Sequence, residues 1–390
     1  MTDDLTTLLR TPEGVNALAL AGEVADLDPL AAAASVRARG VAPDLAAAAL
    51  TQVELRRRAV AKFGAAAGRM FFTRAGLEQA TRAVVADRRA ARLAAAGVKS
   101  LADLGCGLGS DALAAARAGL SVYAVEADPQ TAALAAANVA ESGLADLITV
   151  ECADATTVDL AGFDAVFADP ARRRAGRGRV FDPRSYSPPW DFVAALADRV
   201  PRTVLKLAPG IDHDLLPPGA EGEWVSVDGD LVEAAFWCGP LASVPRRAVL
   251  LPSGAELTGS GIEAAPVGPP GAFLYDPDPA VVRAHLVAEF AATVGGRLAD
   301  PSIAYVYTDE PVDTPYARRL AVTDVLPFSL KRLRALLRER GVGRLEIRKR
   351  GSALEPEKLR RDLKLSGPAA ASLVLTRVAG APTVILCRPL

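Results

Sequence analysis

Four acids, each placed where a strand runs into a loop, carry the chemistry this sequence can do: Asp103, Glu126, Asp154 and Asp169. The first opens Asp103-Leu-Gly-Cys-Gly-Leu-Gly-Ser-Asp111, with glycines at 105, 107 and 109. Residues without a Cβ are needed where a ligand must lie against the backbone. Glu126 follows Gly105 by 21 residues, the place for an acid that accepts hydrogen bonds from ribose hydroxyls. Asp169 is followed by Pro170 at the end of a further apolar run. Redox and zinc chemistry have little support. There are two His, and the four cysteines (106, 152, 238 and 387) are far apart with no C-x-x-C pair.

Strands and helices must hold these acids. Leu101 to Leu104 reads as a buried strand, the glycines as a tight turn, and Ala112 to Ala118 as a helix, so the turn binds a nucleotide. A dinucleotide turn would place its third glycine at 110, where this chain has Ser110. Strands follow at 121–126, 148–154 and 163–169. A helix at 188–200 and a strand at 202–208 come next, then a hairpin at 223–238 turning through Asp228-Gly229-Asp230. The fold class expected is α/β, a Rossmann-like sheet.

At 390 residues the chain is long enough for two or three domains. Residues 1–95 read as a helical region. Its segment Phe71-Phe72-Thr73 to Arg82 mixes aromatics with the hydrogen-bonding side chains Thr73, Arg74, Gln79 and Thr81. Residues 96–250 form the nucleotide-binding domain and 251–325 a connecting region. Within that connection 252–272 is a Gly/Pro-rich surface stretch, 278–293 a helix and 304–308 a short strand. Residues 326–390 form a small α+β module: helix 329–340, strand 343–349, helix 355–364, strands 371–378 and 382–388.

Formal net charge is −1, so a polyanion could be met only by a local surface. The C-terminal module offers one, with 13 Lys/Arg against five acids between Phe328 and Ser366. Arg348, Lys349 and Arg350 at a strand end are placed to grip phosphates. The N-terminus shows no secretory pattern and no stretch reads as a membrane span, so a cytoplasmic protein is expected.

The loop Asp103-x-Gly105-x-Gly107-x-Gly109 resembles motif I of the class I S-adenosylmethionine methyltransferases, whose sheets also end in an antiparallel hairpin. With Phe72 to Thr81, Asp169-Pro-Ala-Arg-Arg173, Leu205-Lys-Leu-Ala-Pro-Gly210 and Glu346-Ile-Arg-Lys-Arg-Gly351, the chain resembles a bacterial methyltransferase family with a C-terminal THUMP-like domain. That resemblance implies S-adenosylmethionine as cofactor and RNA, tRNA or rRNA, as partner through Arg348, Lys349, Arg350 and their neighbours. It implies cofactor contacts from Asp103, Gly105, Gly107, Gly109, Glu126, Ala127, Asp154 and Ala155. Thr73 and Gln79 would cover the methionine end.

Asp169, Pro170, Arg172 and Lys206 are the expected catalytic residues. Asp169 would hold the acceptor, Arg172 would stack on a base or pair with a phosphate, and Lys206 would line the pocket. Base N-methyltransferases carry Asp/Asn-Pro-Pro-aromatic in this loop; here Ala171 and Arg172 replace the last two. Uridine C5 methyltransferases carry D-P-P-R but need a cysteine nucleophile beyond the fifth strand. That place reads Lys206-Leu-Ala-Pro-Gly210, so direct transfer to nitrogen, or less readily to a ribose oxygen, is expected. Two other readings remain open: a methyltransferase of small molecules or proteins, and a non-catalytic RNA-binding protein.

Overall fold

The computed structural model describes residues 3–172 and 186–389. The chain divides into two compact units, residues 1–220 with 235–243 and residues 221–234 with 244–390. Among the described residues, no helix is long and apolar enough to cross a membrane.

The first unit begins with six helices: α1 (Asp3–Leu9), α2 (Pro12–Glu23), α3 (Pro29–Ala38), α4 (Pro43–Phe63), α5 (Arg74–Gln79) and α6 (Ala83–Ala95). Proline in the first turn starts α2, α3 and α4, where its missing N–H costs nothing. Thr11 and Asp28 cap the first two of these, accepting from Gly14 N and Leu30 N. Alternation follows: β1 (Ser100–Leu104), α7 (Ser110–Arg117), β2 (Ser121–Glu126), α8 (Pro129–Ser142), β3 (Ile148–Cys152), β4 (Ala165–Ala168), β5 (Ala171–Arg172), β6 (Tyr186–Ser187), α9 (Trp190–Ala194), α10 (Leu196–Arg199) and β7 (Thr203–Leu207). Strands β7, β4, β1, β2 and β3 lie side by side in that order, all parallel. Strand order reverses beside β1, so the carboxyl ends of β1, β2 and β4 open on one crevice, where α/β sheets bind ligands. The helix expected over 188–200 is broken at Ala195 into α9 and α10.

The strands β8 (Glu221–Val227) and β9 (Asp230–Trp237) form the expected hairpin. Asp228 and Gly229 both have positive φ (53° and 82°), the geometry whose twist matches paired strands. The division between the units falls inside β9.

The second unit continues with β10 (Arg246–Leu251), β11 (Ala255–Gly259), β12 (Phe273–Pro277), α11 (Pro279–Arg283), α12 (Val287–Thr293), β13 (Arg297–Leu298), β14 (Val306–Thr308), β15 (Ala317–Pro327), α13 (Leu330–Glu339), β16 (Val342–Lys349), α14 (Pro356–Leu363), β17 (Ala369–Val378) and β18 (Ala381–Pro389). Seven of these strands make a sheet in the order β13-β14-β12-β15-β18-β17-β16. Leu333 and Leu337 of α13 and Leu359 and Leu363 of α14 share one buried cluster with Leu373, Leu375 and Leu386 of the sheet. Both helices therefore cover the same face and turn their charged sides outward.

Two expectations change here. The stretch 252–272 contains a strand, β11, paired antiparallel with β10. The helix expected over 278–293 is two helices, because His285 between them takes φ +62°.

Candidate active site

The glycine loop is built by what its neighbours leave no room for. Gly105 takes φ +88°, and a Cβ on it would lie 2.9 Å from the carbonyl oxygen of Asp169. Gly107 and Gly109 also have positive φ (56° and 84°). The N–H groups of Gly105 and Cys106 both donate to Val125 O (2.9 and 3.0 Å), which ties the loop to the end of β2. Asp169 N donates to Leu104 O at 3.2 Å, which ties it to the end of β4.

Glu126 is half-buried and tied at both oxygens: Gly107 N donates to one (3.1 Å) and Asp128 N to the other (3.0 Å). Each oxygen keeps a further lone pair, so the carboxylate is fixed yet still able to accept from a diol. Ala127 follows it, exposed. Ala153 N donates to Glu126 O at 3.1 Å, which brings the end of β3 alongside. Asp154 there is exposed and caps a short turn, accepting from Thr156 N and Oγ1 (both 2.8 Å). Those bonds hold its carboxyl below the usual range. Ala155 beside it is buried.

Asp103 is fully buried, and among the described residues neither carboxylate oxygen has a hydrogen-bond partner. Burial above all, then the facing carboxylates of Asp111 and Asp169, push its carboxyl well above the usual range; Arg89 and Lys206 pull the other way. The hydroxyl of Ser110, at the start of α7, is likewise buried with no hydrogen-bond partner among the described residues. Unpartnered buried groups are rare because each costs about 1–3 kcal/mol. A ligand bearing a cationic amine would satisfy Asp103.

At the neighbouring strand ends Lys206 Nζ donates to Asp169 Oδ2 at 2.5 Å, with side chains 13% and 33% exposed. Pro170 is buried. Arg172 ends β5, but its side chain, with Arg173 and Arg174, lies outside the described residues.

The segment before β1 is anchored to the loop by groups that the sequence reading missed. Asn138 of α8 accepts from Phe71 N (2.7 Å) and donates to Phe71 O (3.2 Å) and Leu108 O (3.0 Å). Gln52 of α4 brackets the next residue, donating to Phe72 O (2.7 Å) and accepting from Phe72 N (3.0 Å). A Cβ on Gly76 would lie 3.0 Å from Leu108, so α5 rests directly on the glycine loop. Lys62 donates to the carbonyls of Leu77, Glu78 and Ala80 at the end of α5. Burial and the charges of Arg82 and Lys206 lower its ammonium to about 8. A buried Asn and Gln on helix faces read as packing from sequence; only the fold reveals which backbone they hold.

The structure gives three of the four polar candidates of this segment local partners. Thr73 caps α5, accepting from Gly76 N at 3.0 Å. Thr81 donates to Asp111 (2.6 Å), which also pairs with the buried Arg89. Arg74 pairs with Glu54 at 3.3 Å, and Gln79 is exposed at the end of α5. In the C-terminal module Arg348 and Arg350 both pair with Asp276, and Lys349 pairs with Glu355 at 3.1 Å.

Known proteins bear on this geometry. Family profiles match residues 101–172 as a methyltransferase domain, 317–389 as a THUMP domain-like region and 2–59 as a domain of unknown function. An uncharacterised S-adenosylmethionine-dependent methyltransferase of Mycobacterium tuberculosis is 36% identical over 352 residues, 86% of this chain and 95% of the relative. A 23S rRNA (uracil(1939)-C(5))-methyltransferase of Acidithiobacillus ferrooxidans is 36% identical over 105 residues, 25% of this chain and 24% of its own. A crystal structure from Porphyromonas gingivalis W83, classed as a methyltransferase, shares the fold. It superposes with a TM-score of 0.73 at 23% identity, covering 90% of this chain and 92% of that one.

Proposed function

The chain belongs to the S-adenosylmethionine-dependent methyltransferases, and from that premise we propose that it methylates a nitrogen of a structured RNA, tRNA or rRNA, in the cytoplasm. The observation that carries the cofactor placement is Asp103, a buried carboxylate beside a glycine cradle with no hydrogen-bond partner among the described residues. It fits the ammonium of the cofactor's methionine end. Glu126, locked by two backbone N–H groups, fits the ribose diol, and Asp154 fits the adenine edge. When bound, the cofactor supplies an electrophilic methyl group.

The chain's own residues then manage the acceptor. Asp169 sits against the glycine loop, with Lys206 holding its carboxylate in place. An oxygen of Asp169 accepts from the acceptor's amino group, which orients the nitrogen lone pair toward the methyl carbon. Transfer leaves a proton on that nitrogen, and Asp169, already accepting from the amino group, can take it. For a covalent C5 route the first cysteine after the fifth strand is Cys238. Cys238 is buried, and burial pushes its thiol up to about 11. Its N–H donates to Thr203 O, three residues before Lys206 along β7 and so about 10 Å from it.

RNA as substrate is supported by the THUMP-like region and by the charge of its helices. Arg348, Lys349 and Arg350 already share their charge with acids. Lys331, Arg332 and Arg338 of α13, with Lys358 and Arg361 of α14, are exposed and, among the described residues, carry no ion pair. Phosphates meet these five first. Comparing modified nucleosides of tRNA and rRNA in cells with and without this gene tests the reading. Loss of one N-methylated nucleoside is expected; an unchanged RNA profile would contradict it.

A further inference from the structure

Helix α5 is six residues long, too short to be stable by itself, yet it is the element laid on the glycine loop. Thr73 caps its start, and Leu77 is buried. Its far end is where a helix leaves carbonyls without intrahelical partners. A side chain from another helix meets them. Lys62, one residue before the end of α4, donates to Leu77 O (2.7 Å), Glu78 O (2.8 Å) and Ala80 O (3.0 Å). An ammonium has three N–H donors, so all of them are spent on this short stretch of backbone.

The stretch that Lys62 grips bears on the cofactor site in two places. A Cβ on Gly76 would lie 3.0 Å from the Leu108 side chain, and Asn138 holds the Leu108 carbonyl at 3.0 Å, so α5 rests on the loop between Gly107 and Gly109. Thr81, next after Ala80, donates to Asp111 at 2.6 Å. Asp111 pairs with Arg89 and faces Asp103, whose carboxyl is raised by burial first and then by the Asp111 charge. A shift of residues 77–80 therefore reaches both the loop and the acid placed for the cofactor's ammonium. The charges around Lys62 are mostly positive. Arg82 stands at the start of α6, Glu78 lies within α5, and Lys206 of β7 holds Asp169. Burial first, then Arg82 and Lys206, lower the Lys62 ammonium to about 8, while Glu78 pulls the other way. Above that pH the amine has lost its charge and one of its three donors.

We infer that Lys62 is a positioning residue for the cofactor: its ammonium fixes α5 and Thr81 against the glycine loop and Asp111, and S-adenosylmethionine binds tightly only when all three of its bonds to the 77–80 backbone are made. This role rests on the cofactor lying at the glycine loop, as proposed above, and is independent of RNA as substrate.

Calorimetric titration of the full chain with S-adenosylhomocysteine between pH 7 and 9.5 tests this, with the thermal midpoint recorded for each variant. At pH 7 Lys62→Met should bind at least tenfold more weakly than wild type. Lys62→Arg keeps the charge and its donors and should bind within threefold of wild type. Arginine also keeps its proton across this range. As pH rises above about 8, wild type should therefore weaken relative to Lys62→Arg, by at least fivefold at pH 9.5. Taking that ratio cancels the titration of Asp103 and of the ligand's own amine. A lysine that only supported the fold would lower the thermal midpoint when replaced and leave the ratio level. Full affinity in a folded Lys62→Met protein, or a level ratio, would overturn the role; if Lys62→Met does not fold, the ratio decides alone. Glu126→Ala separates this role from the cofactor placement. If Glu126→Ala weakens binding and Lys62→Met does not, the placement stands and the Lys62 role alone falls. If both bind like wild type, the placement falls with it.

Discussion

Each unit holds a well-buried aspartate, and the fold treats the two in opposite ways. Asp276 in the second unit is 11% exposed and receives both Arg348 and Arg350. Asp103 in the first is fully buried, and among the described residues neither of its oxygens has a hydrogen-bond partner. A satisfied buried charge is part of the architecture, whereas an unsatisfied one awaits a ligand. The same contrast separates the basic residues. Those at 348–350 are paired with Asp276 and Glu355, and Lys331, Arg332, Arg338, Lys358 and Arg361 on α13 and α14 carry no ion pair among the described residues.

The largest effect should come from breaking the satisfied site. Asp276→Ala leaves two arginines without their acid and should lower unfolding free energy by about 3 kcal/mol, read from the denaturant midpoint. S-adenosylmethionine affinity measured by calorimetry should not move. Glu126→Ala should do the reverse, costing cofactor binding about 2 kcal/mol, more than tenfold, with the fold intact. Equal affinity in a folded Glu126→Ala protein would remove Glu126 from the diol site.

A charge-reversal pair sharpens the second contrast. Lys331→Glu with Arg361→Glu should weaken RNA binding about tenfold and flatten its salt dependence by roughly one unit of slope for each phosphate no longer gripped. If reversal at 348–350 in a folded protein has the larger effect on that slope, the available cations have been misplaced.

The smallest effect is the most diagnostic. Asp103 has a raised carboxyl value in the fold, so its contribution to stability is full below about pH 3.9. It is lost as pH rises toward that raised value. Asp103→Asn should therefore stabilise the cofactor-free protein at neutral pH by about 1 kcal/mol, roughly 2–4 °C. It should also weaken S-adenosylmethionine. In wild type, cofactor affinity should fall as pH drops through the raised value, because the protonated acid cannot pair with an ammonium. A variant that loses stability instead would show that Asp103 already has a structural partner.

The two regions were unequally legible. Gly105, Gly107 and Gly109 are backbone requirements, and a backbone requirement is written in the residue that meets it. Asp103 and Glu126 close β1 and β2 and Asp169 follows β4, so the loop and the parallel sheet could be read from spacing, and the motifs they make carried the resemblance to the family. Charge is different. Arg348 and Arg350 read as phosphate ligands until the fold places Asp276, more than 70 residues earlier, beneath them. Asn138 and Gln52 were silent because an amide on a helix face names no partner. The break at His285 could not be read because propensity favours one helix over 278–293, and only the closing bonds to Val281 and Val282 show the turn.

The central claim is that Asp169, fixed by Lys206 beside the glycine loop, presents an RNA nitrogen for methylation. Purified wild type and Asp169→Ala should be given RNA from cells lacking this gene together with methyl-labelled S-adenosylmethionine, and the labelled nucleoside identified after digestion. The account predicts one N-methylated nucleoside from wild type and at least a hundredfold less from Asp169→Ala, with cofactor binding retained. A C5-methyl pyrimidine as product, or full turnover by Asp169→Ala, would contradict it.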